Sequence, residues 1–323
     1  GGLQEGWDQD LTDLFKTIEK PIATREASGK VMNAIVEKVH AFTGGSADLA
    51  PSTKTTLKDH GNYGFEEYCG HNMHFGVREH AMGAIANGMS LHGGIIPYTG
   101  TFLIFYDYMR PPVRLAALMG IRVIYIFTHD SIGMGEDGPT HQPIEQLMGL
   151  REVPNLVTIR PADATETVEA WKLAIERRHG PTAIVLSRQN LPILDRTELT
   201  PASSVQRGGY ILWKAAASPD IILIGTGSEV HIALEAGKLL QDKGINAHVV
   251  SMPSWELFDI QPDDYRKEVL PPKTRARISI EAGTSLGWER YVGLDGVTIG
   301  IPRFGASAPG NIVYDKLGLT VQH

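Results

Sequence analysis

The run Arg122–Thr128 (RVIYIFT) limits the fold more than any other stretch of this 323-residue chain. It is β-branched and aromatic with no polar alternation, so the strand it predicts is too continuously apolar to leave one face in water. A strand buried on both faces needs helices on both sides, which is the condition of a parallel α/β sheet. The neighbours agree. Leu156–Arg160 and Thr182–Ser187 read as further strands around the amphipathic helix Ala164–Arg178. That order is βαβ, which places functional groups at the strand ends.

Upstream, Val31, Ile35 and Val39 share one face of a helix over Arg25–Val39, which a Gly-rich turn follows at Thr43–Ser46. Arg78–Leu91 reads as a helix whose Gly83 and Gly88 imply close approach of another backbone. A short strand is predicted at Ile95–Tyr98, then a helix over Thr101–Met119 that Pro111 and Pro112 kink or split. Periodicity is lost between Gln189 and Arg207. A second α/β unit follows, with strands at Ile221–Ile224, Ala247–Ser251, Arg277–Glu281 and Val297–Gly300, and helices at Glu229–Lys243 and Tyr265–Leu270. The fold class is therefore α/β, as two three-layer α/β/α domains with mostly parallel sheets. The expected divisions are a linker remnant over 1–19, a first domain over 20–190, a linker over 191–208 and a C-terminal α/β domain over 209–323.

The formal charge is −7, which argues against nucleic-acid or anionic-membrane partners. A lone cysteine, Cys69, cannot close an intrachain disulfide and fits a cytoplasmic location. No stretch reaches the roughly 18 uninterrupted apolar residues of a membrane span. Gly1–Asp13 is acidic, lacks an initiator Met and does not resemble a secretory signal, so the start reads as a fragment or processing boundary.

Several motifs bear on chemistry. Gly133–Gly138 has the letters G-x-G-x-x-G, but Glu136 and Asp137 stand where a pyrophosphate would sit, so a dinucleotide reading fails. Gly225–Val230 reads as a tight strand-to-helix turn. The wider loop Thr128–Pro143 gathers two histidines and three carboxylates, which suits proton transfer or polyhydroxyl recognition, with a plain solvated loop as the other reading. His71, His74 and His80 lack the spacing and the companion ligands of a metal site. Glu79 opens a helix of small and apolar residues. A carboxylate there is either a solvated partner of the helix dipole or, if buried, a group able to hold a proton near neutral pH. Phe102, Phe105 and Tyr108 recur at three-residue spacing as one helical face, either core or ligand platform.

Taken together, Gly44–Leu49 (GGSADL), Gly76–His80 (GVREH), Thr101–Phe105 (TFLIF), Thr128–Ile132 (THDSI) through Gly135–Pro143 (GEDGPTHQP), and Leu186–Pro192 (LSRQNLP) closely resemble the transketolase family. The likeness continues through residues 225–230 and Arg303–Ser307, in collinear order. It covers the family's pyrimidine-binding domain, here 20–190, and its C-terminal domain. The Gly-Asp-Gly…Asn motif that holds diphosphate and metal in the family's preceding domain is absent from this sequence.

By this resemblance Glu79 corresponds to the glutamate that hydrogen-bonds N1′ of the thiamine diphosphate aminopyrimidine. Phe102, Phe105 and Tyr108 correspond to its aromatic pocket, with Asp48 near the cofactor and the subunit interface. Asp137 and His141 correspond to residues at substrate hydroxyls and reacting carbons, and Arg25, Ser52, His129 and Arg188 to a sugar-phosphate clamp. Two guanidinium groups suit phosphate because their planar forks bind it bidentately. Metal ligands in this chain are none; Mg²⁺ or Ca²⁺ is expected on the missing domain, carried by the same or a separate polypeptide. A homodimer is implied, with the C-terminal domain supporting dimerisation. So is transfer of a two-carbon ketol unit between sugar phosphates in the pentose phosphate pathway. Two alternatives accompany this reading: a related thiamine enzyme such as dihydroxyacetone synthase, and an isolated chain that is a non-catalytic dimerisation or binding fragment. A 1-deoxyxylulose-5-phosphate synthase is disfavoured by the two-histidine loop.

Overall fold

The computed structural model describes residues 3–18, 20–65 and 67–323; Gly1 and Gly2 of the acidic start, and Glu19 at the end of the expected linker remnant, lie outside the described residues. In chain order the first half comprises β1 (Ile22–Ala23), α1 (Thr24–Val36), β2 (Phe42–Ser46), α2 (Ala50–Thr53), β3 (Asn72–His74), α3 (Glu79–His92), β4 (Ile96–Phe102), α4 (Tyr106–Met119), β5 (Ile124–Thr128), α5 (Gln146–Arg151), β6 (Val157–Ile159), α6 (Ala164–Glu176), β7 (Thr182–Leu186) and β8 (Asn190–Leu191). The second half comprises β9 (Tyr210–Trp213), β10 (Ile221–Gly225), α7 (Glu229–Asp242), β11 (Ala247–Ser251), α8 (Trp255–Asp259), α9 (Asp263–Val269), β12 (Arg277–Ile280), α10 (Glu289–Val292), β13 (Val297–Ile299) and α11 (Gly310–Lys316).

Strand β5 sits inside a six-stranded parallel sheet of order β3-β2-β4-β5-β7-β6, as its composition requires. Its side chains divide by the period of two. Ile124 and Ile126 join the core beneath α1 and α6, with Val31, Ile35 and Trp171. Tyr125 and Phe127 join the core beneath α3 and α4, with Met82, Tyr106 and Val113. These are the two helical layers of an α/β/α sandwich. A second sheet, β13-β12-β10-β11-β9, is parallel except for the edge strand β9, which runs antiparallel to β11. Two domains with mostly parallel sheets are thus present. One apolar core extends from α1 and α6 of the first to Leu223, Val230 and Val249 of the second, and Trp7, Leu11 and Phe15 ahead of β1 are buried in it.

Four local expectations need correction. Thr43–Ser46 is not a turn but part of β2, fully buried. Its glycines serve close approach: a Cβ on Gly44 would lie 2.0 Å from the Tyr98 carbonyl oxygen, and one on Gly45 1.7 Å from that of Met73. The helix predicted from Thr101 begins at Tyr106, after a 3₁₀ turn over Leu103–Phe105, so Phe102 ends strand β4 and shares no helical face with Phe105 and Tyr108. Pro111 and Pro112 lie inside α4 without ending it. The Pro112 ring fills space that Gly83 of α3 leaves open, 2.8 Å from where a Cβ would stand, and Asn87 Nδ2 donates to the Pro112 carbonyl at 2.8 Å. The close approach foreseen for α3 thus occurs at Gly83, against a side chain, while Gly88 faces open space.

The sheet order also fixes where a site can form. From β2 the chain first steps outward to β3, then crosses back to build β4, β5 and β7 on the other side. The direction of winding therefore reverses between β2 and β4, and a crevice opens beyond their carboxyl ends. No described helix is long and apolar enough to cross a membrane.

Candidate active site

The crevice is occupied by a cleft of about 640 Å³ whose lining comes from three strand ends. Ala47, Asp48 and Leu49 follow β2, Val77–His80 follow β3, and Phe105 and Tyr108 follow β4. Glu79 is the first residue of α3, where the helix dipole favours negative charge. Its side chain is buried at 7 % exposure and receives no hydrogen bond from the described residues. A carboxylate lining the cleft beside aromatic faces is suited to accept a hydrogen bond from a polar group that enters it. Asp48 stands at the rim, exposed, in a left-handed backbone conformation (φ 61°).

The aromatic residues connect this cleft to the polar loop after β5. Phe102 and Phe105 stack with centroids 5.9 Å apart and planes at 11°, and Phe105 and Tyr108 at 6.1 Å and 27°. On the other side, His129 stacks on Phe102 at 3.6 Å, and His141 meets the edge of Phe105 at 5.8 Å. Tyr108 is 64 % exposed, which is platform rather than core behaviour.

His129 begins the loop with φ 59°, a conformation that costs a non-glycine residue about 1–3 kcal/mol and that surrounding contacts must over-determine. Its Nε2 faces Arg25 Nη1 at 3.4 Å, and because a guanidinium can only donate, that nitrogen is the acceptor. The proton then resides on Nδ1, which donates to Thr128 Oγ1 at 2.8 Å. Burial, then the charges of Arg25, Arg188 and His141, hold the imidazole pKa down to about 3. His129 is neutral at physiological pH.

Arg25 reaches this point because α1 is tied to the end of β7. Thr24 N–H donates to Ser187 Oγ at 3.1 Å, Ser187 N–H donates to Thr24 Oγ1 at 2.7 Å, and β1 pairs with β8. That tie brings Arg25 near Arg188. Burial, then the Arg188 charge, lowers the Arg25 pKa, and among the described residues neither guanidinium has a carboxylate within salt-bridge range. Two cations held together without a counter-ion make a ready anion site. Arg25 Nη1 donates to the Ser52 carbonyl at 2.7 Å, so Ser52 enters through its backbone.

The structure thus brings together Glu79, Asp48, Phe105 and Tyr108 in the cleft, and Phe102, His129, His141, Arg25 and Arg188 beside it. Asp137 is exposed and makes no side-chain hydrogen bond among the described residues. The three histidines weighed as metal ligands are apart in role: His71 Nδ1 lies 2.9 Å from the Phe42 carbonyl, His74 Nε2 lies 3.0 Å from Asn62 Oδ1, and His80 lines the cleft. Gly133–Gly138 opens no helix; Gly135 turns with φ 86° against the backbone of Gly310. Sequence reading missed a buried ionic network directly behind the loop. Asp130, next to His129, receives Arg160 Nε at 2.9 Å, and Arg160 also pairs with Glu229 of the second domain. Nearby, Arg151 clasps Glu281 bidentately at 2.8 and 2.7 Å and stacks on Trp255. The one available signal was Arg160 itself, a charge ending an apolar strand.

Fold and cleft together define an α/β protein whose ligand crevice, at a switch point of the strand order, pairs a buried carboxylate with aromatic faces and a cationic end. Residues 20–193 match the transketolase pyrimidine-binding domain, and residues 208–320 match the transketolase-like TK C-terminal domain. The chain belongs to the transketolase family. A transketolase of Halalkalibacterium halodurans is 52 % identical over 323 residues, covering 100 % of this chain and 48 % of the relative. The crystal structure of a Pichia stipitis transketolase in complex with sedoheptulose-7-phosphate superposes with a TM-score of 0.92 at 41 % identity, over 99 % of this chain and 47 % of that one. A split-gene transketolase described as an inactive beta4 tetramer has a TM-score of 0.73 at 28 % identity, over 94 % of this chain and 95 % of its own. The chain spans about half the length of the curated relatives it matches.

Proposed function

We propose that this chain supplies the aminopyrimidine half of a thiamine diphosphate site, and the phosphate-binding end of the substrate channel, to a transketolase. The reaction is transfer of a two-carbon ketol unit from a ketose phosphate such as xylulose 5-phosphate to an aldose phosphate such as ribose 5-phosphate. The observation that carries this reading is the buried Glu79 carboxylate, without a hydrogen-bond donor among the described residues, in the same cleft as Phe105 and Tyr108. An aromatic, nitrogen-bearing ring fits that cleft: Phe105 and Tyr108 offer apolar faces, and Glu79 offers an acceptor for a ring N–H. When bound, thiamine diphosphate supplies a nucleophilic carbon and an electron sink.

The residues of this chain hold, orient and move protons. Glu79 exchanges a proton with the pyrimidine N1′, which sets the ring's tautomer. His129, neutral and fixed by Thr128 and Arg25, presents a defined surface on Phe102 rather than a charge. Arg25 and Arg188 receive the sugar phosphate. His141, on the edge of Phe105, and Asp137 contact the sugar hydroxyls, and Asp48 borders the cofactor. Mg²⁺ or Ca²⁺ and the diphosphate are bound by a domain outside this sequence, on the same or a separate polypeptide. The exposed apolar residues Ile85 and Leu91 of α3, with Leu115 and Leu118 of α4, support coverage of this face by a second subunit in a homodimer. The lone cysteine fits a reducing, cytoplasmic compartment, and ketol transfer between sugar phosphates is a reaction of the pentose phosphate pathway.

The test is an assay of this chain together with a diphosphate-binding domain, using xylulose 5-phosphate and ribose 5-phosphate. Sedoheptulose 7-phosphate is expected, and its absence overturns the assignment. The split-gene neighbour fits a diphosphate-binding domain carried on a separate polypeptide; the alternative reading, that the chain by itself is a non-catalytic scaffold, has its own test. Calorimetry of the 323-residue protein with thiamine diphosphate and Mg²⁺ then shows no tight, metal-dependent binding, and such binding contradicts this second reading.

A further inference from the structure

The loop that carries His129 is not held by its own domain alone. Asp130 and Ser131 are buried; Asp130 is held by Arg160 of the same domain, which itself reaches across to the second, and Ser131 meets Tyr314 of the second domain directly. Arg160, at the end of β6, is fully buried and directs its donors both ways: Nε to Asp130 Oδ2 at 2.9 Å, and Nη1 to the Thr226 carbonyl and Thr226 Oγ1, each at 3.0 Å, and to Glu229 Oε2. Its backbone is engaged in the same way, since Arg160 N–H donates to the Pro253 carbonyl at 2.9 Å and Gly227 N–H donates to the Arg160 carbonyl at 3.2 Å. Glu229 is then saturated from its own domain: Ala282 N–H donates to Oε2 at 3.0 Å, and Tyr314 O–H donates to Oε1 at 2.7 Å. The Tyr314 oxygen also lies 3.3 Å from Ser131 Oγ, and Ser131 Oγ accepts from Gly133 N–H. A closed circuit therefore runs from Asp130 through Arg160 and Glu229 to Tyr314 and back to Ser131.

This circuit begins one residue after His129, which keeps a left-handed backbone without being glycine. The tight Gly133–Gly310 contact pins the far side of the same loop, a Cβ on Gly310 falling 2.4 Å from the Gly133 carbonyl oxygen. A strained residue persists only where its surroundings over-determine it; Thr128, Arg25 and Phe102 hold the His129 ring directly, and the second domain adds to this by fixing the loop that follows it.

We propose that Arg160, Glu229 and Tyr314 are positioning residues, through which the C-terminal domain holds His129 against Phe102 and Arg25 and so keeps the phosphate-binding end of the site in shape. This gives the C-terminal domain a part in the site beyond support of a dimer. The meaning for turnover rests on the proposed function, but the geometry can be read without substrate.

The experiment is an NMR titration of the His129 imidazole in the 323-residue chain. The ring is faced by Arg25 from α1, Arg188 after β7 and His141 of its own loop, all of which disfavour its protonation. In the wild type it stays neutral down to about pH 3. In Tyr314→Phe, released from the circuit, its midpoint moves up toward the ordinary imidazole value of about 6.5. Tyr210→Phe is the control, because Tyr210 O–H donates to the buried Glu166 at 2.7 Å in a separate network away from the loop. It lowers thermal stability and leaves the His129 midpoint in place. If Tyr314→Phe does not fold, Glu229→Gln gives the same readout. A His129 midpoint unmoved by either folded variant, or moved equally by Tyr210→Phe, overturns the proposal and leaves the ketol-transfer reading intact.

Discussion

Arg188 and His129 show how single side chains here are tuned by what is withheld from them. Arg188 is exposed and, among the described residues, lacks a carboxylate partner, so its charge is free for a phosphate. Arg188→Ala is expected to raise KM for phosphorylated sugars ~10- to 100-fold, the worth of about one charge-assisted hydrogen bond. Steady-state kinetics checks this; an equal loss with unphosphorylated sugars contradicts the clamp. His129 carries the opposite lesson, a titratable group kept from titrating. Its folded pKa, about 3, lies below the unfolded value near 6.5, so between these values the unfolded chain binds the extra proton. Stability then rises with pH across that window and falls as acid is added. His129→Asn, which has no proton to gain, is expected to flatten that part of the stability profile, as read by urea denaturation at several pH values. A slope unchanged from wild type shows that the buried imidazole is not its source.

At the scale of elements, the glycines of β2 decide how closely strands pack. Gly44→Ala places a methyl 2.0 Å from the Tyr98 carbonyl oxygen, so β4 must shift. The expected cost is about 1–3 kcal/mol, as for overpacking in a tight core, with a measured fall in thermal midpoint. A neutral substitution contradicts the close approach. The same glycines explain what was hard to read. Strand β5 declared itself through an uninterrupted apolar run, and β10 to β13 and helix α6 through ordinary periodicity. By contrast β2 has glycine where a strand usually has bulk, so it resembled a turn. Strand β3 (Asn72–His74) is short and polar, and the edge strand β9 followed a stretch without pattern. The α4 helix runs through two prolines because α3 supplies a glycine to receive one of them, a tertiary compensation invisible locally.

For the whole molecule, the cleft residues were legible only as strings that resemble the transketolase family; their place at strand carboxyl ends was not, because β2 read as a turn and β3 had no strand pattern. The Arg160 circuit was not, because its members lie 30 and 69 residues away in sequence and share no spacing. Two domains meet through that circuit and through one continuous core, so the loop bearing His129 is a product of both. The central claim concerns the cleft itself: the Glu79 carboxylate acts on a thiamine ring that another domain anchors. The most direct measurement is the rate of sedoheptulose 7-phosphate formation by the chain complemented with a diphosphate-binding domain, wild type against Glu79→Gln. The account predicts that the variant folds normally and that kcat falls by about 10²- to 10⁴-fold, the usual worth of a positioned proton-transfer group. A folded Glu79→Gln protein with near-normal kcat contradicts it.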